Sequence, residues 1–357
     1  MKYKKITNLF ILNFLLIGCF IIAFNWIIDS TNFFNHDLLD TNYVNDSTVY
    51  KTEYLIDNYS NKEVSLVMGG SRPTVLKPEL LKKITNKEWY NYAYNGGSPI
   101  EHYKNLKYLI RKKLIINEIL LGLDYSSFTH ETVPNRFPFQ IHPLAKTDKQ
   151  INTFNDELRF YADYLASYNI TKSNIKALYK YLIGEPKGVI INVDNGTNNF
   201  LHQKRNIEIL QDKWHEYFKS LDKKHPDFSK LNISNKQQQN FENFMLLCKK
   251  NKIKVRLFFN PTSYITLKHQ SLETQEKIYE YLTKDLSLEF DDFAFFNILT
   301  MSPDNFYDDS HYRSSVGDEV INSIYSVCSN SGICKKVTKN NLSNHIKFIK
   351  YKKEINN

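Results

Sequence analysis

Apolar runs and amphipathic segments alternate along most of the chain. Short apolar or aromatic runs, typical of strands buried in a sheet, occur at 64–68, 89–94, 115–123, 253–259 and 293–299. Segments with apolar residues at helical spacing lie at 74–86, 99–114, 236–250, 271–286 and 315–328. This alternation predicts an α/β fold, with a mostly parallel sheet between two layers of helices in a three-layer α/β/α sandwich.

Two internal parts of the chain do not follow this alternation of predicted strands and helices. Residues 126–235 contain predicted helices at about 152–168, 172–183 and 204–221, which favours a helical insertion or cap over the sheet edge. Residues 29–60 are polar and aromatic without a clean period, which favours a linker that leads into the first packed segment. We expect one α/β domain over 31–335 and a basic, Lys- and Asn-rich tail at 336–357 that is disordered.

The first 30 residues predict a membrane anchor. Residues 9–28 are almost all apolar, and about 20 helical residues cross the ~30 Å core of a bilayer. Lysines precede this run and Asp29 follows it, so the positive-inside rule places the main domain outside the cytoplasm. We expect a single-pass protein of a bacterial cytoplasmic membrane with a periplasmic or extracytoplasmic domain. The alternative is a lipoprotein, because Leu16-Ile17-Gly18-Cys19 resembles a lipobox that would carry lipid on Cys19.

Net charge, cysteine positions and the lack of ligand-binding motifs limit the classes of ligand and site that the chain can have. The net charge of +9 suits an anionic membrane face or polymer, but the lysines are scattered, so nucleic-acid binding is not expected. Cys328 and Cys334 either close a small disulfide loop in an oxidising compartment or remain two thiols. The sequence has no cluster with metal-ligand spacing and no phosphate-binding loop, so neither a metal nor a cofactor is predicted.

Ser71 follows the first predicted strand almost immediately. Gly69 and Gly70 end that strand, and Pro73 disfavours a helical start at Arg72. A serine on such a turn, at the carboxyl end of a parallel strand, has its hydroxyl exposed where α/β folds place their chemistry. The alternative is an ordinary strand-to-helix turn in which Ser71 caps the following helix.

Asp308 and His311 form a short motif in the loop after the last predicted strand. Asp-x-x-His is weak as a pattern, but this loop and the Ser71 turn can meet at the carboxyl ends of a parallel sheet. Serine chemistry needs a base to take the hydroxyl proton and a carboxylate to orient that base. The spacing therefore predicts Ser71 as nucleophile, His311 as base and Asp308 as the orienting carboxylate.

These motifs resemble the SGNH/GDSL hydrolase superfamily. The similarity is closest to a membrane-attached extracytoplasmic branch that includes alginate O-acetyltransferase accessory proteins and the D-alanyl-lipoteichoic acid biosynthesis protein. It covers about 64–327, with 126–235 poorly matched. The stretch at 91–97, Asn-Tyr-Ala-Tyr-Asn-Gly-Gly, resembles the second block of the superfamily. The resemblance implies an oxyanion hole formed by the N–H groups of Ser71 and Gly96, with Gly97 as the alternative to Gly96.

One position departs from the superfamily pattern. Asp124 stands where the third block has an asparagine that donates to the oxyanion, and an ionised carboxylate cannot donate. Losing one such donor typically costs about 10²–10³ in rate. Either Asp124 pairs with Arg72 and shapes the pocket, or the site is slow or degenerate; we favour the pair. Asn260, after the strand at 253–259, also resembles a position of this group and is expected to support the pocket.

The resemblance implies acyl transfer through a serine ester. The expected function is that of an esterase or O-acyltransferase acting on a cell-envelope or secreted polysaccharide, with a membrane acyltransferase as a further partner. The alternative, from another class, is a non-catalytic scaffold or glycan-binding component of a polysaccharide assembly machine. The residues alone do not choose between water and a sugar hydroxyl as the acceptor.

Overall fold

A six-stranded sheet organises the structure, a computed structural model that describes residues 2–31, 33–34, 38–39, 47–129, 140–145, 154–185, 189–224, 232–326, 328 and 332–356. The strands are β1 Glu63–Gly69, β2 Trp89–Asn91, β3 Ile115–Leu123, β4 Val189–Ile191, β5 Asn198–Phe200, β6 Lys254–Phe259, β7 Phe290–Asp292 and β8 Lys335–Val337. The main sheet has the order β2-β1-β3-β6-β7-β8, and β4 pairs with β5 as a separate antiparallel hairpin.

The first five strands of the main sheet run parallel, and β8 joins β7 antiparallel. This confirms the prediction of an α/β fold with a mostly parallel sheet. Since β1 lies between β2 and β3, the chain order reverses at β1. Crevices for ligands form at such switch points, outside the carboxyl ends of the strands.

Helices cover both faces of the sheet. The α-helices are α1 Lys2–Ile28, α2 Ser47–Tyr59, α3 Pro78–Thr85, α4 Pro99–Arg111, α5 Phe154–Leu165, α6 Tyr168–Leu182, α7 Leu201–Leu210, α8 Trp214–Leu221, α9 Asn235–Lys250, α10 Tyr264–His269, α11 Leu272–Glu280, α12 Ile298–Met301, α13 Ser314–Tyr325 and α14 Leu342–Glu354. Alternate side chains of a strand point to opposite faces. Leu66 therefore lies in the cluster with Leu106 of α4, and Val67 lies in the cluster with Val320 of α13.

α1 carries the apolar run at the amino terminus. In the described part of the chain it is the one helix long and apolar enough to cross a membrane, over Ile6–Ile28. Only 11% of an 18-residue apolar stretch of that span is buried. An apolar helix that packs so little against the rest of the protein is consistent with the predicted anchor.

Several local predictions were wrong. Residues 189–200 of the expected helical insertion form the β4–β5 hairpin. The packed segment to which 29–60 was expected to lead is α2, whose residues Val49 and Leu55 are buried. The last parallel strand is β7, not 293–299. Phe293 and Phe295 are buried by packing in an irregular segment, and hydrophobicity alone does not separate such burial from strand pairing.

The tail at 336–357 is folded, not disordered as predicted. β8 pairs with β7, and the side chains of Leu342, Ile346 and Ile349 on α14 are buried in the main core. His345 Nε2 lies 2.7 Å from the buried Asp292 carboxylate at the end of β7. The high lysine and asparagine content concealed the spacing of these apolar residues, which is that of an amphipathic helix.

A substitution within α14 tests this packing. Ile346→Ala removes a buried side chain and should lower the free energy of unfolding by about 2–4 kcal/mol. The matched control is Ile355→Ala, since Ile355 is 56% exposed in the same segment. Denaturant unfolding in detergent, followed by tryptophan fluorescence, compares the two. If both variants had the same free energy of unfolding, α14 would not be packed against the core as described.

Candidate active site

Three parallel strands end level with one another at the switch point. Gly69 of β1 is the register partner of Gly122 in β3, and Gly122 is the partner of Phe258 in β6. The residues just beyond these ends therefore share one edge of the sheet. Ser71, Asp124 and Asn260, which were predicted from separate motifs, all follow these ends.

Ser71, His311 and Asp308 form a hydrogen-bonded array at this edge. Ser71 Oγ lies 2.8 Å from His311 Nε2. His311 Nδ1 lies 3.0 Å and 2.9 Å from the two carboxylate oxygens of Asp308. Ser71 precedes a 3₁₀ turn at Arg72–Val75, but its side chain makes no capping hydrogen bond. The hydroxyl therefore faces the imidazole and does not cap a helix.

The Asp308 carboxyl fixes the state of the imidazole. Burial raises the pKa of this carboxyl, but hydrogen bonds and charge from the His311 ring, with backbone N–H bonds from His311 and Ser310, outweigh burial and lower the pKa overall. An ionised carboxylate accepts a hydrogen bond from the Nδ1–H group, which leaves Nε2 unprotonated and able to accept a hydrogen bond from the serine hydroxyl. This is the tautomer that a general base requires.

Residues at the start of α10 hydrogen-bond the loop that carries Asp308 and His311. The backbone carbonyl of Asp309 accepts hydrogen bonds from Ser263 Oγ at 2.5 Å and from Thr266 Oγ1 at 2.7 Å. Tyr307 N–H also donates to the His311 carbonyl at 2.7 Å and closes the loop on itself. The imidazole is therefore placed by a braced loop and not by a free chain segment.

Arg72 and Asp124 form the ion pair that the sequence suggested. Arg72 Nη1 lies 2.7 Å from Asp124 Oδ1, and the two side chains are 12% and 9% exposed. Arg72 also donates to Ser310, through Nε to the carbonyl at 2.8 Å and through Nη2 to Oγ at 3.0 Å. One guanidinium thus joins the nucleophile turn, the end of β3 and the histidine loop.

Asn260 extends this network behind the site. Its Nδ2 donates to Asp124 Oδ1 at 3.0 Å and to the Leu123 carbonyl at 3.1 Å, and its Oδ1 accepts from Tyr312 O–H at 3.1 Å. Both amide hydrogens are used in these bonds. Asn260 therefore holds the Asp124 carboxylate in place, and its side chain has no remaining hydrogen to offer to a substrate oxygen.

The second block packs directly against the nucleophile turn. A Cβ on Gly97 would lie 2.6 Å from the Gly69 carbonyl oxygen, so this close approach requires glycine. Gly96 has φ +68°, a left-handed value that favours glycine. The Gly97 N–H donates to the Tyr94 carbonyl at 3.3 Å, whereas among the described residues no hydrogen bond uses the N–H of Ser71 or of Gly96.

Two contacts at the site were not predicted. The Phe200 ring of β5 lies 5.4 Å from the His311 ring, and it also stacks on Tyr307 at 5.2 Å. Ser310 is a partner of Arg72 through both its carbonyl and its hydroxyl. Phe200 had no motif to mark it, since it lies 111 residues before His311 in a poorly matched insertion. Ser310 lay inside the Asp-x-x-His motif, where only the end residues carried expectations.

Comparison with known proteins does not assign the chain to a family. No protein-family model matches the sequence, and no curated protein matches it. The resemblance to SGNH hydrolases therefore rests on the quoted motifs alone.

The Arg72–Asp124 pair generates a prediction about stability. Arg72→Met leaves the Asp124 charge without its partner and should lower the free energy of unfolding by about 3 kcal/mol. Adding Asp124→Asn removes that charge and should recover most of the loss. Denaturant unfolding of the two single variants and the double variant gives the coupling energy.

The exposed pair Lys277–Glu273 on α11 is the matched control, because both side chains are more than half exposed. The same cycle on that pair should show no comparable coupling, since water and salt screen it. If Arg72→Met is as stable as the double variant with Asp124→Asn, the two charges do not depend on each other.

Lys51 braces the segment that leads to Gly96. It is fully buried on α2, and its Nζ donates to the Ala93 carbonyl at 2.6 Å. Burial lowers the pKa of Lys51 from its usual value to about 7. The next residue, Thr52, bonds the Tyr92 hydroxyl at 2.6 Å, so α2 holds two neighbouring points of the second block.

This buried amine should make stability depend on pH. The unfolded chain keeps Lys51 protonated up to about pH 10.4, whereas the folded chain releases the proton from about pH 7. Between these values the unfolded state binds more protons, so stability should rise with pH, by up to about 1.4 kcal/mol per pH unit. Lys51→Met should remove this rise, as measured by denaturant unfolding from pH 7 to pH 10.

Lys62→Met is the control, because Lys62 Nζ also bonds a backbone carbonyl, at 2.9 Å, but in an exposed position. That variant should keep the pH dependence of the parent. A parent and a Lys51→Met variant with parallel pH profiles would show that Lys51 does not release its proton on folding.

Proposed function

We propose that this chain is an SGNH-type serine esterase or O-acyltransferase that acts on acyl esters of a cell-envelope or secreted polysaccharide. The observation that carries this proposal is the Ser71–His311–Asp308 array at the switch point of the parallel sheet. A hydroxyl, an imidazole and an ionised carboxylate in this order are the parts that activate a serine nucleophile.

In the proposed reaction, Ser71 Oγ attacks the ester carbonyl while its proton passes to His311 Nε2. The tetrahedral intermediate then collapses, and the leaving alcohol takes that proton from His311. The acyl group now forms an ester on Ser71. Water completes hydrolysis, or a sugar hydroxyl completes transfer, with His311 again acting as the base. Asp308 stays ionised throughout and stabilises the imidazolium.

The oxyanion is assigned to the backbone N–H groups of Ser71 and Gly96. Backbone donors fit this role because they are fixed before the reaction and need no reorganisation. Asp124 cannot serve as a donor, but its negative charge is paired with Arg72. A neutral pair opposes a developing oxyanion far less than an isolated carboxylate does, so an aspartate at this position is compatible with catalysis.

The proposed location is the outer side of a bacterial cytoplasmic membrane, with α1 as a single-pass anchor. The Cys328–Cys334 disulfide supports this side, because such bonds persist in oxidising compartments. An envelope glycan is the proposed substrate class, since an anchored extracytoplasmic esterase meets such polymers, and the net charge of +9 suits an anionic one.

Active-site labelling tests this function. The full chain in detergent should react covalently with a fluorophosphonate probe, and Ser71→Ala should abolish the labelling. Hydrolysis of an activated acetyl ester should fall at least about 10³-fold in His311→Ala, since residues of a triad act as a unit. Ser220→Ala is the control, because Ser220 is exposed and bonds the Tyr217 carbonyl in its own helix.

An unlabelled parent chain would contradict the proposal and favour the non-catalytic scaffold. Labelling that persists in Ser71→Ala would place the reactive serine elsewhere.

A further inference from the structure

The outward face of α6 is apolar, which is unusual for a helix on the surface of a domain. Five large side chains on this face and at its end are at least half exposed: Tyr168 (76%), Ile175 (56%), Tyr179 (62%), Leu182 (72%) and Ile183 (50%). At 3.6 residues per turn they fall within an arc of about 100°. Contiguous exposed apolar residues mark an interaction surface, whereas scattered single ones do not.

Lysines flank this apolar face. Lys172, Lys176 and Lys180 repeat every fourth residue, so they form one row along the helix. The sequence of α6 contains no acidic residue. Lysine can lay its methylene groups along apolar surface while its ammonium group reaches lipid headgroups. Exposed aliphatic residues, tyrosines and a lysine row together are typical of a helix that lies in a membrane interface.

α6 is attached to the outer end of the apolar span. Asn25 of α1 is fully buried, and its Nδ2 donates to Thr171 Oγ1 at 2.8 Å. Asn174 returns a bond to Asn25 Oδ1 at 3.0 Å and accepts from the Ser30 N–H at 2.9 Å. At about 1.5 Å per residue, Asn25 lies ~5 Å inside the end of the span at Ile28. This depth is that of the headgroup and acyl-chain boundary.

Apolar contacts reinforce the junction. Ala177 and Leu178 of α6 pack with Phe24 and Ile28 of α1 in one small cluster. The face of α6 that carries Ile170, Asn174 and Ala177 is therefore buried against the protein, and the exposed apolar face points away from it. The junction therefore lies at the carboxyl-terminal end of the apolar span Ile6–Ile28.

We propose that α6 is an interfacial membrane helix, with its exposed apolar face in the outer leaflet and its lysines on anionic lipid headgroups. The bilayer is the occupant that the structure favours, because α6 packs on the end of the apolar span of α1 and the charge that flanks its exposed face is positive. The proposal rests on the membrane crossing proposed for α1. A second attachment beside the anchor restricts rotation of the domain about α1 and so holds the site in one orientation to the membrane.

Spin-label accessibility in lipid nanodiscs tests the position of α6. The full chain carries Cys19→Ser as background, because Cys19 is exposed and the remaining free cysteine, Cys248, is buried. Nitroxide labels are placed through Ile175→Cys and Leu182→Cys. In nanodiscs with phosphatidylglycerol, both labels should collide with oxygen more often than with a water-soluble nickel chelate, as lipid-immersed labels do.

Two further labels calibrate the experiment. Leu246→Cys replaces a 63% exposed leucine on α9 and should report water. Leu16→Cys replaces a 58% exposed leucine in the middle of α1 and should report the bilayer core. Labels at 175 and 182 that resemble the label at 246, while the label at 16 is immersed, would overturn the proposal for α6. A water-exposed label at 16 would overturn the anchor and, with it, this inference.

The lysine row predicts a dependence on lipid charge. Changing Lys172, Lys176 and Lys180 to Gln should remove the gain in immersion that the label at 182 shows when phosphatidylglycerol replaces phosphatidylcholine. The matched control changes three exposed lysines of α9, Lys236, Lys249 and Lys250, to Gln and should keep that gain. Loss of the gain in both sets would show a net-charge effect and overturn the assigned role of the row. These measurements read position and not activity, so their outcome is independent of labelling at Ser71.

Discussion

The geometry of the site depends on the ion pair and the hydrogen bonds that the Arg72 guanidinium makes. Arg72 follows Ser71 directly, and it bonds Asp124 at the end of β3 and Ser310 beside His311. Ser71 and His311 are 240 residues apart in the chain, and Arg72 is a direct side-chain link between their loops. Because a guanidinium is planar and offers five N–H groups, it holds three segments in fixed directions. A lysine could supply the charge but not this geometry.

The same pair bears on the proposed role of Ser71 as a nucleophile. An unpaired carboxylate at position 124 would repel both an alkoxide-like serine oxygen and a developing oxyanion. Here the charge is balanced by Arg72, and Asp124 also accepts from Asn260. Asn260 is in turn held by Tyr312, one residue beyond the base. The network thus closes on itself, and the backbone N–H groups of Ser71 and Gly96 remain as the donors proposed for the oxyanion.

The sequence predicts those parts of the structure whose signals are local. The runs that form β1, β3 and β6 are apolar, and Gly70, Asp124 and Asn260 follow their ends, so the strands and the residues at their ends could be placed together. β7 was misplaced because two of its three residues, Asp291 and Asp292, are acidic. Its neighbour α14 was missed for a related reason: His345 bonds Asp292 from 53 residues away, and no spacing rule connects them. Long-range packing therefore fixes the position of both elements, although α14 also carries apolar residues at helical spacing.

The insertion shows how such long-range contacts bear on function. Its hairpin turn lies so close to β2 that a Cβ on Gly196 would stand 2.2 Å from the Asn91 carbonyl oxygen. The side chain of Asn91 in turn bonds the Pro73 and Leu76 carbonyls of the turn that follows the nucleophile. Phe200 of the same hairpin lies against the imidazole of His311. Since α6 belongs to this insertion and docks on Asn25, the segment that interrupts the α/β pattern is also the one that contacts both α1 and the imidazole of His311.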